Sequence, residues 1–417
     1  MITLIEALHY RSLRYLSQEL GPFQILVGEN ASGKTTFLDV LVFFGRFLAE
    51  GLETAVHERT NNFQDLVWQR AGDSFEMAVE ADIPAHLTVK LANPAQNKYR
   101  YEISVGLDPK TRALSILGEK ALLITPSTQE EEPTQLTFFP RSLEPPPTIA
   151  TSSGQRRNKV VLNKTRAGND NYYSETARRW NPSFKLGLKK SALGNIPDDE
   201  ERFPVSIWFK ELMVQGVKAF AFNPVMMKNA SPPGQIPGLK PDGSNLPWVI
   251  KGFKETHLDC FTGWVNSLKT VLPDLEDIEI IQRDEDRYCF LEFTYQDSLK
   301  TPSWVASDGT LRLTALTLLA HLPHKSRVYL IEEPENGIHL KALAGVVKAL
   351  SSASASQILL TTHSPAVLEL ADPAKVLCFA KTREGATDVV PGCEHPMMVE
   401  HGGQANIGDL FNRGLLS

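Results

Sequence analysis

Apolar positions along this chain follow two periods, and the places where one gives way to the other mark out its elements. Residues 1–27 hold two strand-like runs, 2–8 and 23–27, separated by 10–16, which reads as a strand or hairpin leading into the second run. A glycine-bounded loop and an amphipathic helix over 35–50 come next, then a polar loop with a short helix at 59–69. Segments 75–83, 86–91, 99–107 and 114–124 read as strands, with Pro84, Asn93-Pro94 and Asp108-Pro109 as turns, and predict an antiparallel sheet. From 125 to about 204 the periodicity fades, and Pro145-Pro146-Pro147 marks a surface insertion that is partly flexible. Regular patterning returns with a helix at 205–216, a strand at 217–223, a helix at 253–272 and strands at 278–283 and 288–295. Helices at 310–321 and 340–351 then alternate with strands at 328–331, 357–361 and 376–381.

Alternating strands and helices imply a parallel sheet with helical crossovers. The predicted fold is therefore α/β, with a core split in sequence: 1–125 supplies one half and the antiparallel sheet, 126–204 is inserted, and 205–417 supplies the other half. No internal repeat and no sustained heptad run is present, which argues against a long coiled-coil arm.

Composition narrows the function without deciding it. A chain of 417 residues with net charge −6 has room for a large core and is no polycation that would coat nucleic acid unaided. Within the insertion, however, Arg156, Arg157, Lys159, Lys164, Arg166, Arg178, Arg179, Lys185, Lys189 and Lys190 are interleaved with Tyr172, Tyr173 and Trp180. Such a stretch, Arg156 to Lys190, suits DNA or RNA contact, with cations on phosphates and rings on bases; it equally suits a solvated face. Cys260, Cys289, Cys378 and Cys393 form no C-x-x-C pair, so reduced thiols and no structural zinc are expected. The N-terminus lacks a signal-peptide pattern and no run of about 18 apolar residues occurs, so a cytoplasmic protein with no membrane association is expected.

The chemistry is concentrated in four stretches. Gly28-Glu29-Asn30-Ala31-Ser32-Gly33-Lys34-Thr35-Thr36 joins a buried strand to a helix with the spacing G-x-x-x-x-G-K-T, a phosphate-binding P-loop. Backbone N–H groups from Gly28 through Asn30, Ala31, Ser32 and Gly33 to Lys34 would wrap the phosphates, aided by the helix dipole at Thr36. Lys34 would reach the β and γ oxygens, and the Thr35 hydroxyl would ligate Mg²⁺. In the second stretch, the apolar strand Val328-Tyr329-Leu330-Ile331 delivers Glu332 and Glu333 to the edge of the sheet where the P-loop sits. Glu332 would help hold Mg²⁺ and Glu333 would polarise the attacking water. Third, His363 follows the apolar strand ending at Thr361 and would contact the γ-phosphate or that water. Fourth, Ser307-Asp308-Gly309-Thr310 opens a helix, with Ser307 or Asp308 as its N-cap.

In this order, the P-loop, Ser307-Asp308-Gly309-Thr310-Leu311-Arg312, Leu330-Ile331-Glu332-Glu333-Pro334-Glu335-Asn336-Gly337-Ile338-His339 and Thr361-Thr362-His363-Ser364-Pro365 resemble the ABC-type ATPases that include the RecF, SMC and OLD families. The chain looks most similar to stand-alone AAA family ATPases of bacterial defence and mobile-element operons. The resemblance implies an ABC-type P-loop NTPase fold, ATP and Mg²⁺ as ligands, Glu333 as catalytic base and His363 as switch histidine. Ser307, Asp308 and Gly309 would be the signature that completes the nucleotide site of a second copy, in a head-to-tail dimer or higher oligomer, with Asn336 to His339 facing the dimer. A metal-shell glutamine is expected after the first helix, at Gln64 or Gln69. A separately encoded effector such as a nuclease is the implied partner; a RecF-like or SMC-like DNA clamp is the alternative. OLD nucleases continue into a Toprim domain, which is not expected in this chain because the sequence ends at Ser417 without one.

Overall fold

The structure is a computed structural model that describes residues 1–125, 138–152, 158–165, 169–177, 181–235, 238–323, 327–353, 355–400 and 406–416. The strands are β1 (Ile2–Tyr10), β2 (Leu13–Glu19), β3 (Phe23–Gly28), β4 (Ser74–Asp82), β5 (Lys98–Leu107), β6 (Leu114–Ile124), β7 (Asn158–Thr165), β8 (Asp170–Tyr172) and β9 (Ser183–Phe184). They continue with β10 (Val217–Phe220), β11 (Leu275–Gln282), β12 (Cys289–Tyr295), β13 (Leu299–Pro302), β14 (Arg327–Glu332), β15 (Ser356–Thr361), β16 (Val376–Lys381) and β17 (Thr387–Pro391).

The site is positioned by a six-stranded sheet in the order β10-β14-β15-β3-β16-β17, parallel except for its last strand. The first half of the chain contributes only β3, which lies between β15 and β16 from the second half, so the split core predicted from the sequence is realised. Both faces are buried, and the side chains divide by parity. Leu26, Val328, Leu330, Leu359, Leu377 and Phe379 pack on one side. On the other, Ile25, Tyr329, Ile331, Ile358, Leu360 and Cys378 meet the helices Leu246–Thr256, Leu258–Val271, Asp308–Leu319 and Leu340–Ser351.

The P-loop helix, Lys34–Glu50, lies between this sheet and a second, antiparallel one in the order β2-β1-β4-β5-β6-β7-β8-β9. Its position explains why its apolar face is wide and its polar stripe, Thr35, Asp39, Arg46 and Glu50, is narrow. Phe37 meets Phe379 of the parallel sheet, while Phe43 meets Tyr10 and Phe75, and Phe44 meets Tyr101, from the antiparallel sheet. Each such buried ring contributes about 1.5–3 kcal/mol, so the phosphate loop grows out of one of the most firmly packed parts of the molecule. A third sheet, β11-β12-β13, completes the described strands.

Three sequence expectations are corrected. Residues 86–91, read as a strand, form the helical turn Ala85–Thr88, and the apolar Val89 that suggested alternation is 73% exposed. The single helix expected at 253–272 is two helices broken at His257, whose apolar positions line one shared core. Residues 158–184, expected within a partly flexible surface insertion that is α/β or irregular, contain β7, β8 and β9, which extend the antiparallel sheet from β6. There Lys164 and Asp170 form a buried ion pair at 2.7 Å and Tyr172 is fully buried, so these residues of the basic-aromatic stretch serve packing. Arg156, Arg157, Arg166, Arg178, Arg179 and Trp180 lie outside the described residues. Among the described residues no helix is long and apolar enough to cross a membrane.

Candidate functional site

Strand register brings the predicted chemistry to one edge. Glu332 pairs with Thr361, Thr361 with Leu26, and Gly28 with Phe379, so the strand ends and the P-loop share the carboxyl end of the parallel sheet. Gly28 and Gly33 are required there by space as well as conformation. Their φ angles are 152° and 109°, and an added Cβ would lie 2.2 Å from Phe379 O and 2.1 Å from Thr387 Oγ1 respectively. Ala31, also at positive φ, completes the curl, and Gly33 caps the helix without any side-chain bond, leaving the first-turn N–H groups directed into the loop.

Lys34 is only 7% exposed. Its ammonium donates to Gly28 O at 2.8 Å, Glu29 O at 2.9 Å and Ser32 Oγ at 3.5 Å, all neutral oxygens. Burial drives its pKa down to about 8, partly offset by the charges of Glu333 and Glu332. A buried cation with neutral partners in a cradle that excludes a Cβ is a site short of an anion.

Opposite it, Glu333 adopts a left-handed conformation with φ 47°, and its N–H donates to Thr361 O at 3.0 Å. One carboxylate oxygen stands 3.8 Å from His363 Nε2 and the other accepts from Asn336 Nδ2 at 2.8 Å. The Glu332 pKa is raised by desolvation and by Glu333 beside it. Desolvation, then the Lys34 charge, lower the pKa of His363 against the opposing pull of Glu333 and Glu335, which keeps its imidazole neutral at neutral pH. Lys34, Glu332, Glu333 and His363 line a cavity of about 350 Å³ together with Asn30, Ala31, Ser32, Gly33, Thr35 and Thr36.

Three further lining residues, Arg11, Ser12 and Lys381, lie outside the sequence motifs, while Thr361 lines the cavity from the end of the strand before His363. Arg11 is steadied by Asp39 of the P-loop helix, which also accepts from Arg59 and from the Tyr10 hydroxyl at 2.5 Å. Thr387 braces the loop from β17 by bonding Ser32 O at 2.9 Å, and it sits 3.0 Å from Ser12 Oγ. Arg11, Ser12, Lys381 and Thr387 belong to no local motif; only the arginine and lysine charges near strand ends offer a signal.

Some predicted residues are elsewhere. Gln64 lies in the short helix Phe63–Leu66 and Gln69 bonds Glu384 O at 3.2 Å; neither lines the cavity. Ser307, Asp308 and Gly309 open the helix Asp308–Leu319 away from it, with Ser307 as the N-cap bonded to Thr310 N at 3.0 Å and Asp308 paired with Lys228. Gly309 abuts the turn after β14, since a Cβ there would meet Gly337 O at 2.9 Å.

The oxygen donors suit a hard cation. Thr35 is exposed at the loop and Glu332 at the strand end, a small set of the kind that leaves most positions of a Mg²⁺ ion to phosphate and water. Among the described residues no cluster of three or more His, Cys, Asp or Glu forms a closed metal cage.

Residues 23–369 match the family described as "AAA domain, putative AbiEii toxin, Type IV TA system". No curated protein matches the chain. Among solved structures it is similar to an SMC head bound to the C-winged helix domain of ScpA, at 13% identity and TM-score 0.53 over 93% of this chain and 97% of that one. It also matches an SMC head with an extended coiled coil bound to the C-terminal domain of ScpA derived from Pyrococcus furiosus, at 13% identity and TM-score 0.48 over 93% and 95%. At such identity the likeness is one of fold, that of an ABC-type ATPase head.

Proposed function

The chain belongs to the family described as "AAA domain, putative AbiEii toxin, Type IV TA system", and from that premise we propose that it binds and hydrolyses ATP as a nucleotide-dependent dimerisation switch. The observation that carries the proposal is Lys34, buried among neutral oxygens in a glycine cradle and facing Glu333 and His363 across one cavity. On binding, the Lys34 ammonium exchanges its own loop carbonyls for phosphate oxygens, and the N–H groups of the loop take the rest of the charge. Thr35 and Glu332 would hold Mg²⁺, which neutralises phosphate charge when bound. Glu333 accepts the proton of the attacking water, and neutral His363 donates a hydrogen bond towards the terminal phosphate. Ser307, Asp308 and Gly309 close the site of a second copy. The biological setting we propose is anti-phage defence or mobile-element control through a separately encoded effector.

A RecF-like or SMC-like DNA clamp is the second reading, favoured by the head fold shared with the SMC structure. It requires ATP-dependent DNA binding that weakens steeply with salt and is lost when Arg156, Arg157, Lys159 and Arg178 are neutralised. The primary test is steady-state turnover. Magnesium-dependent ATP hydrolysis is expected, falling at least a hundredfold in Glu333→Gln with binding retained and losing nucleotide binding in Lys34→Ala. Unchanged turnover in Glu333→Gln contradicts the assignment.

A further inference from the structure

The acidic turn after β14 contains one carboxylate more than hydrolysis uses. Glu335 lies two residues beyond Glu333 and does not line the cavity. Its Oε1 accepts two hydrogen bonds from the chain just past β15, from Thr362 Oγ1 and from His363 N, both at 2.8 Å. Its Oε2 is buried and has no donor among the described residues. The turn itself is well fixed: Pro334 is buried, Ile338 N donates to Glu335 O at 3.0 Å, and Asn336 N donates to Glu333 O at 3.1 Å.

Beyond Thr361 the chain leaves the sheet, and the His363 amide is bonded to Glu335 in place of a strand partner. One short turn thus holds both Glu333 and His363, which line the cavity beside Lys34. Asn336 holds the Glu333 carboxylate through Oε2, and Glu335 holds the His363 backbone. Between these two attachments His363 Nε2 and Glu333 Oε1 stand 3.8 Å apart. The same turn touches the signature helix through Gly337 O and Gly309, so its geometry is shared with the surface expected to meet a second copy.

We infer that Glu335 is a positioning residue, which places His363 at the γ-phosphate end of the cavity by gripping its backbone amide and the Thr362 hydroxyl. The inference rests on the hydrolysis reading above. Glu335 acts through His363 and touches neither nucleotide nor attacking water.

The test combines kinetics with a direct reading of the amide. Glu335→Ala is expected to lower kcat about tenfold while the nucleotide Kd stays within about twofold, because position is lost and binding is not. Glu335→Gln, whose Oε1 accepts the same two bonds, should restore most of the rate. In a His363→Ala background Glu335→Ala should cost nothing further. In protein labelled with ¹⁵N-histidine, the resonance missing in His363→Ala identifies the His363 amide among the ten histidines. Its proton should move upfield in Glu335→Ala and stay nearly in place in Glu335→Gln. An equal kcat loss in the His363→Ala background, a Gln variant as damaged as the Ala variant, or an unmoved amide overturns the inference. An inactive wild-type chain contradicts the hydrolysis reading and this role with it, whereas an active wild type with an indifferent Glu335→Ala overturns this role alone.

Discussion

Lys34 shows how the loop prepares for an anion. Burial lowers its pKa to about 8 from an ordinary 10.5, because no carboxylate lies within hydrogen-bond reach and Glu333 and Glu332 compensate only in part. Polyphosphate would raise that pKa again, so binding above pH 8 must take up a proton, and affinity must fall as pH rises. Calorimetric titration should show nucleotide binding weakening about fivefold between pH 8 and pH 9. A flat profile over that interval would mean that Lys34 keeps its proton in the empty loop. The sign for folding is the reverse: the unfolded chain holds the proton to higher pH, so the empty protein gains stability as pH rises from about 8 towards 10.5.

At this scale the sequence was most informative where the chemistry is local. Gly28, Gly33, Lys34 and Thr35 lie within one loop whose spacing has a mechanism, and the structure brings Glu332, Glu333 and His363 to the same cavity. Ser12, Lys381 and Thr387 could not be read in the same way. Lys381 and Thr387 come from a hairpin hundreds of residues away, Ser12 from the turn between β1 and β2 that this hairpin meets, and no spacing rule connects them to the loop.

Among the elements, the helix Pro204–Glu211 depends on a residue distant in sequence. Phe203 at its N-cap offers no side-chain bond; instead the fully buried Glu175 accepts from Val205 N at 2.6 Å, from Ser206 N at 2.9 Å and from the Ser206 hydroxyl. Glu175→Ala is expected to lower unfolding free energy by about 1–3 kcal/mol in urea titration. Burial raises the Glu175 pKa to about 7, so the folded protein keeps a proton that the unfolded chain releases near 4.5. The wild type therefore loses this stabilisation between those values, and its margin over Glu175→Ala should be larger at pH 5 than at pH 8. A margin that grows with pH would show that the carboxylate caps the helix in its charged form throughout.

The misread elements share a cause. Apolar period alone suggests a strand at 86–91 and one helix at 253–272, yet Val89 points to solvent and the two helices on either side of His257 line a single core. In β7 the charged Lys159 and Lys164 hid a strand, because its burial is satisfied by partners: Lys164 by Asp170, and Lys159 by the Glu175 carbonyl at 3.2 Å. Periodicity registers side-chain polarity; it is blind to whether a buried charge has a partner.

For the whole molecule, the division of the core was legible because buried parallel strands read as short apolar runs at both ends of the chain, and a parallel sheet needs crossovers. The extent of the antiparallel sheet was not, since β8 and β9 are three and two residues long and too short to carry a period. The cavity in one chain contains the phosphate loop, both acids and His363, while Ser307, Asp308 and Gly309 open a helix elsewhere on the same chain. In the proposed switch, each cavity is completed only by a second copy. Sedimentation of Glu333→Gln with and without magnesium and ATP tests this most directly. A doubling from the 46.3 kDa of one chain is expected only when nucleotide is present, and Ser307→Arg should abolish it. A mass that ignores nucleotide, or a nucleotide-dependent dimer that survives Ser307→Arg, would contradict a site shared between two copies.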